Sequence, residues 1–346
     1  MLKVRVNRIA PAWPVMLGDD HPFYPLHEPD RMGSVSYSLF AESDHGEKLF
    51  EILIDAGHNT VPFLRSHGNT LPDAVLLTHG HPDHVLGVDW IAQSVWFISK
   101  KQKKLPVYCT KGTWNMLMLS YSHIRDIVDH RILIPAQPVE IAEAGGLKLI
   151  PFPVYHGAGA KGAAMLIVQA PEHTSRPVIF TGDLLCPLLR EKDYRKISGA
   201  GILFIDCNNR FPYPESNHIS FSRYDPESKK ISSRLTKWLG KTSIDTLLNP
   251  HRHDAMTHEE KIYWEEFRQE IQQPDQLTFT ILDFLKRCPV PWVYLIHYFG
   301  YYDLELYQQN LLDSRKLNSW VSITAGQETL NDLIISVPEP GEVYEI

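Results

Sequence analysis

Three histidines and an aspartate fall within six positions, His79, His81, Asp83 and His84, directly after the apolar run Leu76-Leu77 and Thr78. Neutral imidazole and carboxylate are the ligands that borderline divalent ions accept. A chain leaving a strand aims alternate side chains the same way, so His79 and His81 suit one ion while Asp83 and His84 point elsewhere. That division predicts two neighbouring ions. Such a pair can bind and deprotonate a shared water, then stabilise both the attacking and the leaving oxygen of a displacement. The chemistry is metal-assisted hydrolysis at a carbonyl or phosphoryl centre. Lone histidines in a chain carrying 17 are ordinarily surface or core residues, but four ligand-type side chains in this spacing are a far more specific signal.

Convergent side chains need rigid elements behind them. Apolar runs at residues 49–54, 74–77, 95–98, 107–109, 147–150, 163–168, 178–180 and 202–205 read as strands, and many are apolar throughout, as strands covered on both faces are. Helical periodicity sits near 113–120, 228–239, 258–271 and 304–312. The alternation places the chain in the mixed α/β class. Two stretches stand outside it. Residues 10–30, with Pro11, Trp13, Pro14, Phe23 and Tyr24, read as an ordered loop crossing a surface. Tyr298, Phe299, Tyr301, Tyr302 and Tyr307 give the tail an aromatic density that suits packing first and substrate stacking second.

His79-Gly80-His81-Pro82-Asp83-His84 resembles the His-x-His-x-Asp-His signature of the metallo-β-lactamase-fold hydrolases, and the other stations of that superfamily follow in order. Phe50 to Gly57 resembles the strand and Asp-x-Gly turn before the signature, with Asp55 in a supporting role. Tyr155-His156-Gly157 offers the next histidine, and Phe180-Thr181-Gly182-Asp183 resembles the strand ending in the aspartate that bridges both ions. The resemblance covers about residues 30–255. It implies a four-layer αββα sandwich formed by residues 1–275, with a C-terminal extension, 276–346, packed on the same domain. It also implies that His79, His81 and His156 hold one ion, that Asp83, His84 and His251 hold the other, and that Asp183 is shared. His251, after Asp245-Thr246-Leu247-Leu248-Asn249-Pro250, is preferred for the last place because the expected element order agrees. His297, after Trp292-Val293-Tyr294-Leu295-Ile296, fits the local pattern and is its alternative, with His253 third.

Two further residues are candidates for catalysis. Asp83 can orient the attacking oxygen or take its proton, and His218 in Asn217-His218-Ile219-Ser220 resembles the Gly-His-Leu-Ser/Thr element whose histidine assists the phosphate or leaving group in the phosphodiesterase branch. Asn217 departs from that pattern at the glycine position, and a loop histidine bonded to backbone is the other reading of His218. His79 through Gly87 is similar to the class II cyclic-nucleotide phosphodiesterase signature except at Pro82, and the short interval from His156 to Asp183 leaves no room for the long arm of bacterial tRNA-processing relatives. The resemblance therefore implies hydrolysis of a cyclic nucleotide or other small phosphodiester. A lactone, carboxyl-ester or thioester hydrolase and an RNA-processing nuclease stay open as alternatives. The same nitrogen and oxygen donors accept two divalent ions of zinc, manganese or iron, with zinc the default.

Composition agrees with such an enzyme. At 346 residues and 43% hydrophobic content the chain can bury a large core. A net charge of -7 argues against broad nucleic-acid binding, and Lys100-Lys101-Gln102-Lys103-Lys104 reads as a solvated loop between two strands. No apolar run reaches the length of a membrane span, and the start Met1-Leu2-Lys3-Val4-Arg5 lacks the core of a signal peptide. Four cysteines without a C-x-x-C pair suit a reduced, cytoplasmic setting. The expected partner is a small-molecule phosphodiester, without nucleic acid or membrane, and a homodimer is an open state because relatives of this fold commonly dimerise.

Overall fold

The computed structural model of the chain describes residues 2–12, 17–18, 33–170, 176–209, 212, 214, 217–224, 230–252, 256–297, 330 and 332–346. Most of the proline-rich stretch, the aromatic residues Tyr298 to Tyr307, the expected helix at 304–312 and His253 lie outside the described residues.

Two sheets carry the architecture. The first is built from β1 (Leu2–Arg8), β2 (Ser36–Glu42), β3 (Lys48–Ile54), β4 (Ala74–Leu76), β5 (Leu105–Thr110) and β6 (Val128–Leu133). The second is built from β7 (Val139–Ile141), β8 (Leu147–Tyr155), β9 (Ala164–Gln169), β10 (Val178–Phe180), β11 (Cys186–Pro187), β12 (Ile202–Asp206), β13 (Trp292–Ile296) and β14 (Ile334–Ser336). The last strand, β15 (Val343–Glu345), returns to the first sheet, whose order is β15-β1-β2-β3-β4-β5-β6. The second runs β11-β8-β9-β10-β12-β13-β14, with β7 beside β8. Residues from 276 onward thus supply strands to both sheets, and β13 lies parallel to β12 with Asp206 opposite Ile296.

The inner faces of the sheets meet in one large apolar cluster. At its centre Phe180 and Phe204 stack with centroids 5.2 Å apart, and Tyr37 of the first sheet tilts onto both at 4.9 Å. Aromatic pairs of this geometry add about 0.5–1.5 kcal/mol each beyond their buried area. A second cluster packs helices Val88–Ile98 and Lys111–Ser120 on the outside of β3, β4 and β5. A third packs helices Ser233–Leu239, Ile244–Leu248 and His258–Glu270 over β11 and its surroundings. The result is the expected sandwich of helix, sheet, sheet and helix.

One expected strand is a helix. Residues 95–98 form the last turn of Val88–Ile98, which buries Val88, Ile91, Ala92 and Val95 at helical spacing and leaves Phe97 and Ile98 63% and 69% exposed. A window of four consecutive apolar residues hides that period. Lys100 to Lys104 accordingly follow a helix and precede β5, rather than joining two strands.

Parallel pairing fixes where the chemistry sits. β3, β4, β5 and β6 run parallel, as do β10, β12, β13 and β14. Their carboxyl ends lead directly into Asp55, His79, Asp183, Asp206 and His297. Open α/β sheets present their ligand sites at this edge.

Candidate metal centre

Among the described residues, four overlapping groups of ligand atoms converge at that edge, and two of them do not involve His218. In the first, His79, His81 and His156 bring ring nitrogens within 4.8 Å of one another. His81 Nδ1 lies 3.2 Å from His156 Nε2, and His156 and His79 Nε2 lie 3.7 and 3.9 Å from Asp183 Oδ2. In the second, Asp83, His84, Asp183 and His297 converge with all four side chains buried. His84 Nε2 is 3.4 Å from Asp83 Oδ2 and 3.3 Å from Asp183 Oδ1, and His297 Nε2 is 3.5 Å from Asp83 Oδ2 and 3.4 Å from Asp183 Oδ2. Asp183 faces both groups.

The spacings match a coordination shell better than a hydrogen-bond network. Tetrahedral ligands at zinc–nitrogen distance stand about 3.3 Å apart along each edge. His79 Nε2, His84 Nε2, His297 Nε2 and Asp183 Oδ1 are buried without a hydrogen-bond partner. Buried polar atoms are normally satisfied, so four orphans aimed at one small volume point to an occupant that accepts lone pairs.

Of the two candidates for the last place, the structure brings His297, and not the preferred His251, to the second group. Residues 245–251, expected as the end of a late strand, fall in helix Ile244–Leu248 and the single turn Asn249–His251 that follows it. Ser243 caps that helix by accepting a hydrogen bond from Thr246 N, a start signal the apolar run masked. His251 Nε2 donates to the Val154 carbonyl at 2.9 Å, and the ring packs on Trp264 with centroids 5.1 Å apart. His297 instead leaves the carboxyl end of β13, beside Asp206, with φ of 55°. Positive φ is uncommon outside glycine and tolerable for histidine.

The remaining contacts hold these rings in place. Asp55, itself at φ 55°, accepts from Thr78 N at 2.9 Å, from Thr78 Oγ1 at 2.7 Å and from His84 Nδ1 at 2.8 Å. The signature turn is thereby tied to the end of β3. His156 Nδ1 donates to the Asn217 carbonyl at 2.9 Å, which turns its Nε2 toward His81 and Asp183. Two glycines of the motif are sterically required: a Cβ on Gly57 would lie 1.5 Å from the Asp83 carbonyl oxygen, and one on Gly182, at φ 57°, would lie 2.5 Å from Thr78 Cβ. Asn217 has φ 61°, which explains asparagine at a glycine position, since asparagine tolerates the left-handed region best among side-chain residues. Asn217→Gly is therefore expected to fold with near-native stability. Asn217→Ala should lose about 1–2 kcal/mol in denaturant titration.

Electrostatics separates the site into rings held neutral, rings held cationic and carboxylates held anionic. Burial, then the neighbouring charges of His84 and His81, pushes His79 well below its ordinary pKa. Burial and His218 bring His156 down to about 3. Burial alone would raise Asp183, but His297 and His84 hold it well below the carboxylate range, and Asp83 is likewise held low against its burial by His84 and His297. Imidazole lone pairs and two carboxylate anions are the states that ligate cations.

Two rings run the other way: burial would lower His84, but the Asp183, Asp83 and Asp55 carboxylates hold it well above its ordinary pKa, and the second is His218. Burial lowers its pKa, yet the Asp206 carboxylate, 2.6 Å from Nδ1, outweighs it and raises the group to about 9. The ring stacks on His297 at 4.9 Å and meets His156 edge-on at 4.8 Å. Sequence reading missed Asp206, although a strand ending in an acid is the same signal that marks Asp183. It is fully buried and also accepts from Leu184 N and Asn208 N. The lysine run, in contrast, follows the far end of helix Val88–Ile98, about 16 Å along from the signature turn.

A family model described as Beta-lactamase superfamily domain matches residues 51–224, which include every station from Asp55 to His218 and stop short of both His251 and His297. The chain is 30% identical over 159 residues to the Anti-Pycsar protein Apyc1 of Paenibacillus sp. (strain J14), covering 43% of this chain and 64% of that protein. The chain thus spans less than two thirds of that relative's length. Among solved structures, a diphosphatase from the PhnP family superposes over 100% of this chain and 98% of its own, at TM-score 0.60 and 17% identity. Zinc-bound PqqB from Methylobacterium extorquens superposes over 99% of this chain and 100% of its own, at 0.56 and 12%. Both likenesses establish the fold.

Proposed function

The chain belongs to the beta-lactamase superfamily, and we propose that it is a metal-dependent hydrolase of small phosphodiesters. The observation that carries this reading is Asp183 facing two groups of ligand atoms, beside His218, whose Nδ1 meets the Asp206 carboxylate at 2.6 Å. His79, His81 and His156 would hold one divalent ion and Asp83, His84 and His297 a second, with Asp183 between them. When bound, the ions supply Lewis acidity and lower the pKa of water. Zinc is the first candidate, and manganese or iron fits the same donors.

The chain's own side chains do the rest. Asp83 stays ionised and serves as an acceptor that orients the attacking water. His218 uses Nδ1 to hold Asp206, and its other ring nitrogen, Nε2, is the donor for the leaving oxygen. Its positive charge also suits phosphoryl oxygens that gain negative charge as the bond breaks. A cyclic nucleotide is the specific substrate favoured by the signature from His79 to Gly87.

Purified protein should hydrolyse bis-p-nitrophenyl phosphate, lose that activity on chelation and regain it with zinc or manganese. Robust hydrolysis of a lactone panel with no phosphodiesterase activity would overturn the reading in favour of an ester hydrolase. A steeply salt-dependent affinity for single-stranded RNA would favour the nuclease instead.

A further inference from the structure

Asn208 lies two residues past the end of β12's last paired position and is 7% exposed. Its side-chain Nδ2 donates to His297 Nδ1 at 3.1 Å. In that arrangement the other ring nitrogen carries the proton and faces Asp83 Oδ2 and Asp183 Oδ2 at 3.5 and 3.4 Å without a hydrogen bond to either. A ring that ligates through Nε2 must move its proton to Nδ1. Nδ1 then needs an acceptor. Asp206 Oδ1 is 3.8 Å away, too far for a hydrogen bond, and it already accepts from Asn208 N at 3.0 Å. The Asn208 amide can satisfy either state, because turning it over by 180° replaces its NH2 with its carbonyl oxygen in nearly the same place.

We propose that Asn208 is a positioning residue for His297, whose amide selects the Nδ1–H tautomer and so prepares Nε2 for the second divalent ion. The inference rests on the two-ion reading of the site. Three other histidines there already have fixed partners at Nδ1: His84 has the Asp55 carboxylate, His156 the Asn217 carbonyl and His218 the Asp206 carboxylate. His297 alone of these four meets a group that can both donate and accept. It is also the ligand whose backbone is held at positive φ, so its ring orientation depends on a side-chain tether more than on strand geometry. Asn208 and Asp206 together tether the two stacked rings from one turn.

Zinc binding to the metal-free full chain, followed by competition with a chromophoric chelator, tests the proposal without reference to activity. Asn208→Leu should weaken the second zinc about 10–100-fold and leave the first unchanged. Asn208→Asp, whose carboxylate accepts only from Nδ1–H, should bind the second zinc at least as tightly as wild type. Nitrogen-15 spectra of wild-type histidines should show His297 as the Nε2–H tautomer without metal and Nδ1–H with zinc, a measurement that decides the matter even if the leucine variant does not fold. Equal second-site affinity in wild type and Asn208→Leu, or Nδ1–H in both states, would overturn the role of Asn208 alone. Wild-type protein that binds no zinc, manganese or iron would remove the metal reading beneath it.

Discussion

His297→Ala is expected to remove one of two metal equivalents and to lower kcat by more than about 100-fold, the upper range for losing a mere outer partner of a ligand. His251→Ala should keep both equivalents. The contrast follows from position: His297 Nε2 is buried without a hydrogen-bond partner between Asp83 and Asp183, whereas His251 Nε2 is committed to the Val154 carbonyl. Removing His297 leaves two carboxylates and His84 to hold an ion with one ligand fewer, and a three-ligand remainder exchanges it faster. Removing His251 breaks its buried hydrogen bond to the Val154 carbonyl and its contact with Trp264, so its cost is to stability, about 1–3 kcal/mol or more. Elemental analysis of both variants, paired with thermal melts, separates the two effects. Loss of metal from His251→Ala with retention in His297→Ala would reverse the assignment.

This pair of histidines also marks where the sequence stops being legible. The stretch from His79 to His84 is readable because four ligands lie close together, between the end of β4 and the helical turn Pro82–Val85. His156 and Asp183 are readable because each follows its own apolar run. The last place depends on which of two short apolar runs is a strand, and periodicity cannot separate a five-residue strand from a helix of the same length. Ser243 before residues 244–248 was the usable cue, since a serine that can cap a helix argues against a strand. The same ambiguity turned 95–98 into a strand on paper. Asp206 and Asn208 were harder still: their roles come from β12 and β13 being neighbours, a pairing of residues about 90 apart that no local pattern encodes.

His218→Ala should lower kcat by about 100- to 10,000-fold while both metal equivalents stay bound. The pH profile is the sharper test, because its sign is fixed by Asp206. His218 is a cation below its raised pKa of about 9, so it can donate a proton at neutral pH and loses that ability as pH rises through the upper limb. Cations at Asp83 and Asp183 would offset the help those carboxylates give, which moves the limb below 9 but leaves the Asp206 contribution in place. Asp206→Asn removes the charge beside His218 and keeps one acceptor oxygen, which can serve Leu184 N and His218 Nδ1 or else Asn208 N. It should shift the basic limb of kcat to lower pH by about 1–3 units and leave metal content unchanged. A substrate whose leaving group needs no proton, such as p-nitrophenolate, should feel both substitutions much less than an alkyl phosphodiester does. An unmoved limb in Asp206→Asn, or equal losses on both substrates, would mean that His218 binds the phosphate and does not protonate the leaving oxygen.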